Sequence, residues 1–187
     1  MNKKTVALTT EQYKDIITTI QNGFLNSRPN ERVATVLILE ANLGLRLSDI
    51  LALRLDDIVR DADRYRLDIV EQKTSKKRTF TVPQQIYTYM QDYCLRNDIK
   101  PNQQMFDLSA RTVQDRLKKT CDYLNYKNIS THSFRKFFAT QIYINNNYNI
   151  ALVQQLLQHS SVATTQRYIK VSAKEIDDAL NKHIVLI

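Results

Sequence analysis

The spacing of apolar residues constrains the fold most, because it has a helical period along nearly the whole chain and changes only once. In the first segment the i, i+3, i+4, i+7 spacing is set by Tyr13, Ile16, Ile17 and Ile20. Over residues 65–82 apolar and polar residues alternate instead, and the polar stretch 73–77 divides that segment as a hairpin connection would. The sequence therefore predicts a mainly α fold with one small antiparallel β-sheet.

Capping residues mark where several of the predicted helices begin and end. Thr9 to Gln12 read as a capping box that begins the first helix, which ends near Gly23. A second helix is predicted over 31–42, and Gly44 suits a left-handed cap just beyond it. Ser48 is expected to cap the next short helix. Further helices are predicted over 49–54, 84–96, 131–145, 150–158, 162–169 and 173–183, and after Ser109.

Composition excludes several classes of protein. The 187 residues include only two glycines, which excludes phosphate-binding and dinucleotide-binding glycine loops. No run of about 18 apolar residues or apolar signal segment occurs, so no membrane partner is expected. Cys94 and Cys121 both lie in apolar helical patterns, which favours reduced thiols in a cytoplasmic protein. Two cysteines and three widely spread histidines make no zinc site.

The net charge is the first positive indication of function. It is +8, with 27 Lys and Arg against 19 Asp and Glu. A basic domain of this size is typical of proteins that bind nucleic acid, although solubility alone would also account for the charge.

Two segments place cations where a phosphate could bind. Arg46 follows Gly44 and precedes a helix start, where free backbone amides suit an anionic group. Asp49 is expected to hold the Arg46 guanidinium in place, and an ordinary salt bridge at a helix start is the alternative. The second segment is the hairpin connection, where four cations are expected to form an exposed cluster: Lys73, Lys76, Lys77 and Arg78. A solvated charged turn is the alternative there.

Two further segments contain histidines. His132 and Arg135 are three residues apart on a predicted helix and share a face, so an imidazole and a guanidinium can together bind a phosphate and move a proton. His159 precedes a serine-capped short helix that leads to Tyr168. Packing is the alternative role for that tyrosine, one of ten in the chain.

Taken together and in this order, these segments resemble the catalytic domain of the tyrosine recombinase (phage integrase) family. Its pattern is an arginine in a G-x-R turn, a lysine on a β-hairpin, H-x-x-R, a His or Trp, and a tyrosine nine residues later. The matching residues are Arg46, Lys73, His132, Arg135, His159 and Tyr168. The chain departs from the pattern at Gln158, where the family usually has glycine, and at Phe134 and Lys136.

The resemblance implies that Tyr168 attacks a DNA phosphodiester and forms a 3′-phosphotyrosyl intermediate. His132 would act as general base, and Lys73 would protonate the leaving 5′ oxygen. Arg46 and Arg135 would bind the non-bridging oxygens, and the second histidine of the pattern would donate one more hydrogen bond there. No cofactor and no metal ion are expected.

Double-stranded DNA is the expected partner. Beyond the matched residues, the candidate DNA contacts are the hairpin cations Lys76, Lys77 and Arg78 and the helix cations Arg111, Arg116, Lys118 and Lys119. A solvated basic face is the alternative for the helix.

The resemblance also implies an assembly. We expect a monomer when free and a homotetramer on DNA, in which the C-terminal tail, Ser172 to Ile187, docks onto the neighbouring protomer. In the free monomer the tail is expected to fold back onto its own domain. We expect one catalytic domain over 1–187 without the N-terminal core-binding domain of most members, as in a short recombinase or a part of a longer integrase. A type IB topoisomerase and a non-catalytic DNA-binding regulator are the alternatives. The His159 to Tyr168 segment favours the recombinase, and a regulator leaves the Arg, His and Tyr set unexplained.

Overall fold

A computed structural model of the chain describes residues 5–73, 75–159, 161–166 and 168–169. Its elements are, in order, α1 (Thr10–Asn22), α2 (Glu31–Leu43), α3 (Leu47–Ala52), a short 3-10 helix (Leu55–Asp57), β1 (Ile58–Asp61), β2 (Arg64–Val70), β3 (Lys77–Val82), α4 (Gln84–Arg96), α5 (Ala110–Tyr123), α6 (Thr131–Asn145), α7 (Ile150–Leu157) and α8 (Val162–Gln166). The predicted mainly α fold with a small antiparallel sheet is confirmed. The helix predicted over 173–183 lies outside the described residues.

Contacts divide the chain into two compact units, Met1–Phe138 and Ala139–Ile187. The first contains α1 to α5, the sheet and the beginning of α6, and the second contains the rest of α6 with α7 and α8. Within the described part of the chain, no helix combines the length and the apolar character that crossing a membrane requires.

The core of the first unit is built around α2. Val33, Val36 and Leu37 are fully buried, and the apolar face of α1, including Ile16 and Ile20, packs with them. Each such side chain contributes about 1.5–3 kcal/mol when it is fully buried. The helix ends at Gly44, in the left-handed conformation predicted for it (φ 58°, ψ 25°), so a rigid element leads directly into the turn that carries Arg46.

The sheet has the order β1-β2-β3, with both pairs antiparallel. In the register of β2 and β3, Leu67 lies opposite Phe80 and Ile69 lies opposite Arg78. The period of two predicted over 65–82 is therefore confirmed. Strand β1 was not predicted, because it has only four residues and buries only Ile58 among them, which is too little alternation to detect.

Most of the predicted caps are present. The Thr9 hydroxyl accepts a hydrogen bond from the Gln12 amide at 3.1 Å, with the reciprocal bond of a capping box, and the Ser109 hydroxyl accepts from the Thr112 amide at 3.1 Å. The prediction for Ser48 is wrong. Helix α3 begins two residues earlier than expected, with Arg46 at the N-cap and no side-chain cap, because the Arg46 carbonyl already accepts from the amides of residues 49 and 50.

In the second unit, α7 ends at Gln158, which adopts the left-handed conformation (φ 52°, ψ 39°). That conformation costs a residue with a side chain roughly 1–2 kcal/mol, so glycine would suit this position better than glutamine. Gln158 is therefore a locally strained helix end immediately before His159.

Replacing Gln158 with glycine should accordingly give a more stable protein than replacing it with alanine. Both changes remove the same amide side chain, but only glycine removes the strain, so we expect a difference of about 1 kcal/mol, or about 2–4 °C in Tm. Thermal unfolding followed by circular dichroism measures it. An alanine variant as stable as the glycine variant would contradict the strain argument.

Candidate active site

Arg46 lies at the turn between α2 and α3, where its side chain remains 20% exposed. Its Nη1 donates to the Glu71 carboxylate at 2.5 Å. The expected partner was Asp49, and that prediction is wrong. The Asp49 carboxylate instead accepts from the backbone amide of Gln72 at 2.8 Å, so both acidic groups connect the turn to the end of β2.

The Glu71 carboxylate also binds a second arginine, Arg78. This carboxylate is 1% exposed and accepts from Arg78 Nη1 at 3.3 Å. Arg78 is itself 2% exposed, donates to the carbonyls of Leu43 and Gly44 at 3.4 Å each, and lies 4.9 Å from the centre of the Phe80 ring. Burial lowers the pKa of Arg78 to about 10, so the guanidinium is charged at neutral pH.

The burial of Arg78 corrects the expectation that it belongs to the exposed cations of the hairpin. It lies on the same face of β3 as Phe80 and Val82, because side chains alternate along a strand and Arg78 pairs with the inward-facing Ile69. Lys73, Lys76 and Lys77 are exposed in the connection as expected. Three exposed cations therefore remain at the hairpin tip.

His132 and Arg135 both lie in the first turns of α6. Arg135 is fully buried, and its Nη1 donates to the Gly44 carbonyl, the same oxygen that accepts from Arg78. His132 is exposed to solvent at the beginning of the helix. The carbonyl of the α2 cap thus fixes one catalytic candidate, while the other faces outward.

The charges around His132 show which candidates the fold brings together. Partial burial of the ring lowers the pKa of His132, and nearby positive charges lower it further. In decreasing order of effect, these charges are Arg135, Lys136, Lys73 and Arg46. The imidazole is therefore neutral at pH 7 and able to accept a proton. Four of the six matched residues surround one solvent-facing position of the first unit.

The remaining two matched residues are neighbours in the second unit. The rings of His159 and Tyr168 have centroids 4.7 Å apart and planes inclined by 58°. His159 Nδ1 lies 3.1 Å from the Thr165 hydroxyl, and the Thr165 carbonyl accepts from the Tyr168 amide at 2.9 Å. The nine-residue spacing therefore accommodates one short helix, α8, whose buried Thr165 contacts both residues.

The candidate DNA contacts on α5 are not equivalent. Arg111 and Lys118 are 81% and 76% exposed and pair with acidic residues one turn further along the helix, and Lys119 is also exposed. Arg116 instead donates to the Arg28 carbonyl at 2.6 Å and lies 5.0 Å from the Phe24 ring centre. Arg116 therefore holds the loop after α1, and the other three cations form the solvent-facing row.

Two residues of the site were missed by the sequence reasoning. Glu71 follows the inward parity of Tyr65, Leu67 and Ile69, and an acidic residue continuing a buried face was a usable signal. Thr165 had no comparable signal, because a threonine in a short helix is ordinary and only its contact with His159 distinguishes it.

Comparisons with known proteins show the family of this chain. The sequence profile of the phage integrase family matches residues 7–175. The tyrosine recombinase XerC of Caldanaerobacter subterraneus subsp. tengcongensis is 31% identical over 189 residues, which cover 95% of this chain and 51% of that protein. The chain thus spans about half the length of this relative. It belongs to the phage integrase family, whose members include tyrosine recombinases.

Solved structures show the same fold at low sequence identity. XerH site-specific recombinase, in a post-cleavage complex with its difH substrate, has a TM-score of 0.74 and 19% identity, covering 96% of this chain and 53% of that one. The catalytic domain of bacteriophage HP1 integrase has a TM-score of 0.67 and 16% identity, covering 96% of both chains. The fold described here is therefore that of a tyrosine recombinase catalytic domain.

Proposed function

We propose that residues 1–187 form the catalytic domain of a site-specific DNA recombinase that cleaves and rejoins double-stranded DNA through a 3′-phosphotyrosyl intermediate. The observation that carries the proposal is the convergence of Arg46, Lys73 and Arg135 on the neutral His132. Two guanidinium groups beside a proton acceptor and a proton donor suit a phosphoryl transfer. Tyrosine recombinases among the relatives support the same reaction. Acting on DNA places the expected site of action in the cytoplasm.

In the cleavage step, the phenolic oxygen of Tyr168 attacks the scissile phosphorus and its proton passes to His132. The new bond joins that oxygen to phosphorus, and the bond from phosphorus to the 5′ oxygen breaks. The electron pair of the broken bond goes to the 5′ oxygen, which takes a proton from Lys73. Arg46 and Arg135 donate to the non-bridging oxygens, where negative charge accumulates in the transition state.

The second unit supplies the nucleophile, Tyr168, together with His159, which packs against the tyrosine ring and orients it. The His159 Nδ1 lies 3.1 Å from the Thr165 hydroxyl. In the proposed reaction, His159 donates one more hydrogen bond to a phosphate oxygen, the role that the family pattern implies for it. The phosphotyrosyl bond retains the energy of the broken phosphodiester, so a 5′ hydroxyl from another strand can reverse the step without ATP. Strand exchange then needs only a change of the attacking hydroxyl.

Covalent capture on nicked DNA tests the proposed reaction. In a pool of random-sequence duplexes, each with one nick, cleavage near the nick releases a short end and traps the protein on DNA. We expect adducts that survive denaturant, are enriched in one sequence, and carry DNA on Tyr168 by mass spectrometry. Relaxation of supercoiled plasmid by monomers, without recombination between two copies of the recovered site, would instead indicate a topoisomerase.

DNA binding should depend steeply on salt, because contacts to phosphates release condensed counterions. Replacing Lys76 and Lys77 together with glutamine should weaken binding and reduce the slope of log K against log salt by about 0.9 for each lost contact. Fluorescence anisotropy at several salt concentrations measures the slope. Lys100→Gln, which changes an exposed lysine outside the candidate contacts, is the matched control. An unchanged slope in the double variant would remove the hairpin tip from the DNA interface.

The assembly is a proposal of the same kind. We infer a monomer in solution and a homotetramer on DNA, with the tail from Ser172 to Ile187, which lies outside the described residues, docking onto the neighbouring protomer. The support is the terminal run of four aliphatic residues, 184–187, which is costly to leave in water.

Deleting residues 182–187 should separate cleavage from recombination. If the tail docks in trans, single-site cleavage survives or rises, whereas recombination between two sites is lost. Adduct formation on one site and product formation from two sites measure the two activities. Equal loss of both, with a lower Tm, would mean that the tail is part of its own domain's core.

A further inference from the structure

Glu71 lies at the base of the loop that carries Lys73. Its backbone closes this loop, since the Glu71 amide donates to the Lys76 carbonyl at 2.9 Å and the Glu71 carbonyl accepts from the Ser75 amide at 2.9 Å. Lys73 lies inside this closed segment and is exposed. The position of the Lys73 backbone therefore depends on where Glu71 is held.

The Glu71 side chain is held at both of its oxygens. Oε2 accepts from Arg46 Nη1 and Oε1 accepts from Arg78 Nη1. The Arg78 guanidinium also donates to the carbonyls of Leu43 and Gly44 at the end of α2. Because the carboxylate is 1% exposed, water does not compete for these bonds and their geometry is well determined. One buried carboxylate thus joins the catalytic turn to the hairpin.

A second connection runs parallel to the first. The Asp49 carboxylate accepts from the Gln72 amide, one residue before Lys73. Arg46 and Asp49 lie three residues apart at the start of α3, and both are bonded to the segment 71–72. The loop is therefore attached to the start of α3 at two points. The Glu71 side chain binds Arg46, and the backbone amide of Gln72 binds Asp49.

We propose that Glu71 is a positioning residue that sets the Arg46 guanidinium and the Lys73 ammonium relative to each other at the scissile phosphate. The inference rests on the proposed function, because it concerns how the leaving-group proton donor and a transition-state guanidinium reach the same phosphate. Glu71 itself contacts no substrate atom. Its carboxylate orients Arg46 directly and places Lys73 through the base of the loop.

The test separates positioning of Lys73 from a general effect on folding. It uses the duplex recovered by covalent capture, made either with the normal 5′ bridging oxygen or with sulfur at that atom. A thiol has a pKa of about 8.5, so a sulfur leaving group departs as thiolate and needs no proton from Lys73. A defect in the placement of Lys73 is therefore relieved by sulfur, whereas a folding defect is not.

Glu71→Gln keeps the side-chain shape and removes the charge. We expect adduct formation on the oxygen substrate to slow by about 10–100-fold, as for other residues that orient a reacting group, with unchanged DNA affinity. On the sulfur substrate the loss in the rate of adduct formation should be at least about fivefold smaller than on the oxygen substrate. The loss that remains should reflect the altered position of the Arg46 guanidinium. Lys73→Ala defines complete relief by sulfur. Asp68→Asn removes a carboxylate that is 39% exposed from β2, the strand that leads to Glu71, and should react like wild type.

The single variant leaves the buried Arg78 without its counter-charge, which can destabilise the fold. Glu71→Gln combined with Arg78→Met removes both members of the pair and should show the same oxygen-specific loss. Wild-type rates for either variant on oxygen, or equal losses on oxygen and sulfur, would overturn the inference. If the wild-type protein itself forms no adduct, the proposed function fails and this inference fails with it. If the wild-type protein forms adducts and only the variants give the contrary result, the inference alone fails.

Discussion

Tyr168→Phe is expected to reduce covalent attachment to DNA to background while leaving DNA affinity unchanged. The substitution removes only the phenolic oxygen, so the ring still packs against His159. With no oxygen at this position, no bond to phosphorus can form, and the loss is that of the whole reaction rather than of one favourable contact. Denaturing gels with nicked DNA measure the adduct, and anisotropy measures binding.

Tyr148→Phe is the matched control for this experiment. Tyr148 is in the same unit, its side chain is exposed, and its ring packs edge-on against Tyr143, so the same chemical change is made away from the matched residues. This variant should form adducts at the wild-type rate. A Tyr168→Phe protein that still forms adducts at a comparable rate would remove Tyr168 from the mechanism.

Gly44→Ala is expected to cause the largest loss of stability of any single methyl addition near the site. A Cβ at Gly44 would lie 2.3 Å from Cδ1 of Phe138, and the φ of +58° disfavours any side chain. The strained backbone costs about 1–2 kcal/mol. Overpacking against the half-buried Phe138 ring costs about 1–3 kcal/mol more. Together they should lower the Tm by roughly 4–20 °C.

The same substitution should reduce cleavage at temperatures where the protein remains folded. The Gly44 carbonyl accepts from both Arg135 and Arg78, so a shift of this turn moves a proposed catalytic guanidinium. Adding Phe138→Leu should recover part of the overpacking loss but none of the backbone strain. Asn42→Ala, at an exposed position of the preceding helix, should change the Tm little. An unchanged Tm for Gly44→Ala would contradict the geometry of this turn.

Glu71 and Arg78 show what sequence patterns predict and where they were misread. Both residues follow the inward parity of the hairpin, Glu71 directly after β2 and Arg78 within β3, so their burial was encoded locally, whereas the run of cations predicts an exposed turn. Charge is normally excluded from interiors, and it is tolerated here because Glu71 pairs with two arginines. One of the two arginines that make the burial of Glu71 possible is Arg46. It lies 25 residues before Glu71 in the chain, beyond any local pattern.

The sequence by itself determined most of the elements and supplied the candidates for the reacting groups. The capping box at Thr9, the left-handed Gly44 and the alternation in β2 depend on neighbours within a few residues, which is why they were predictable. Only the tertiary structure decided that Arg46 pairs with Glu71 rather than Asp49 and that Arg135 bonds the Gly44 carbonyl. Those contacts join elements 25 and 91 residues apart, and their partners are set by how the helices and the sheet pack.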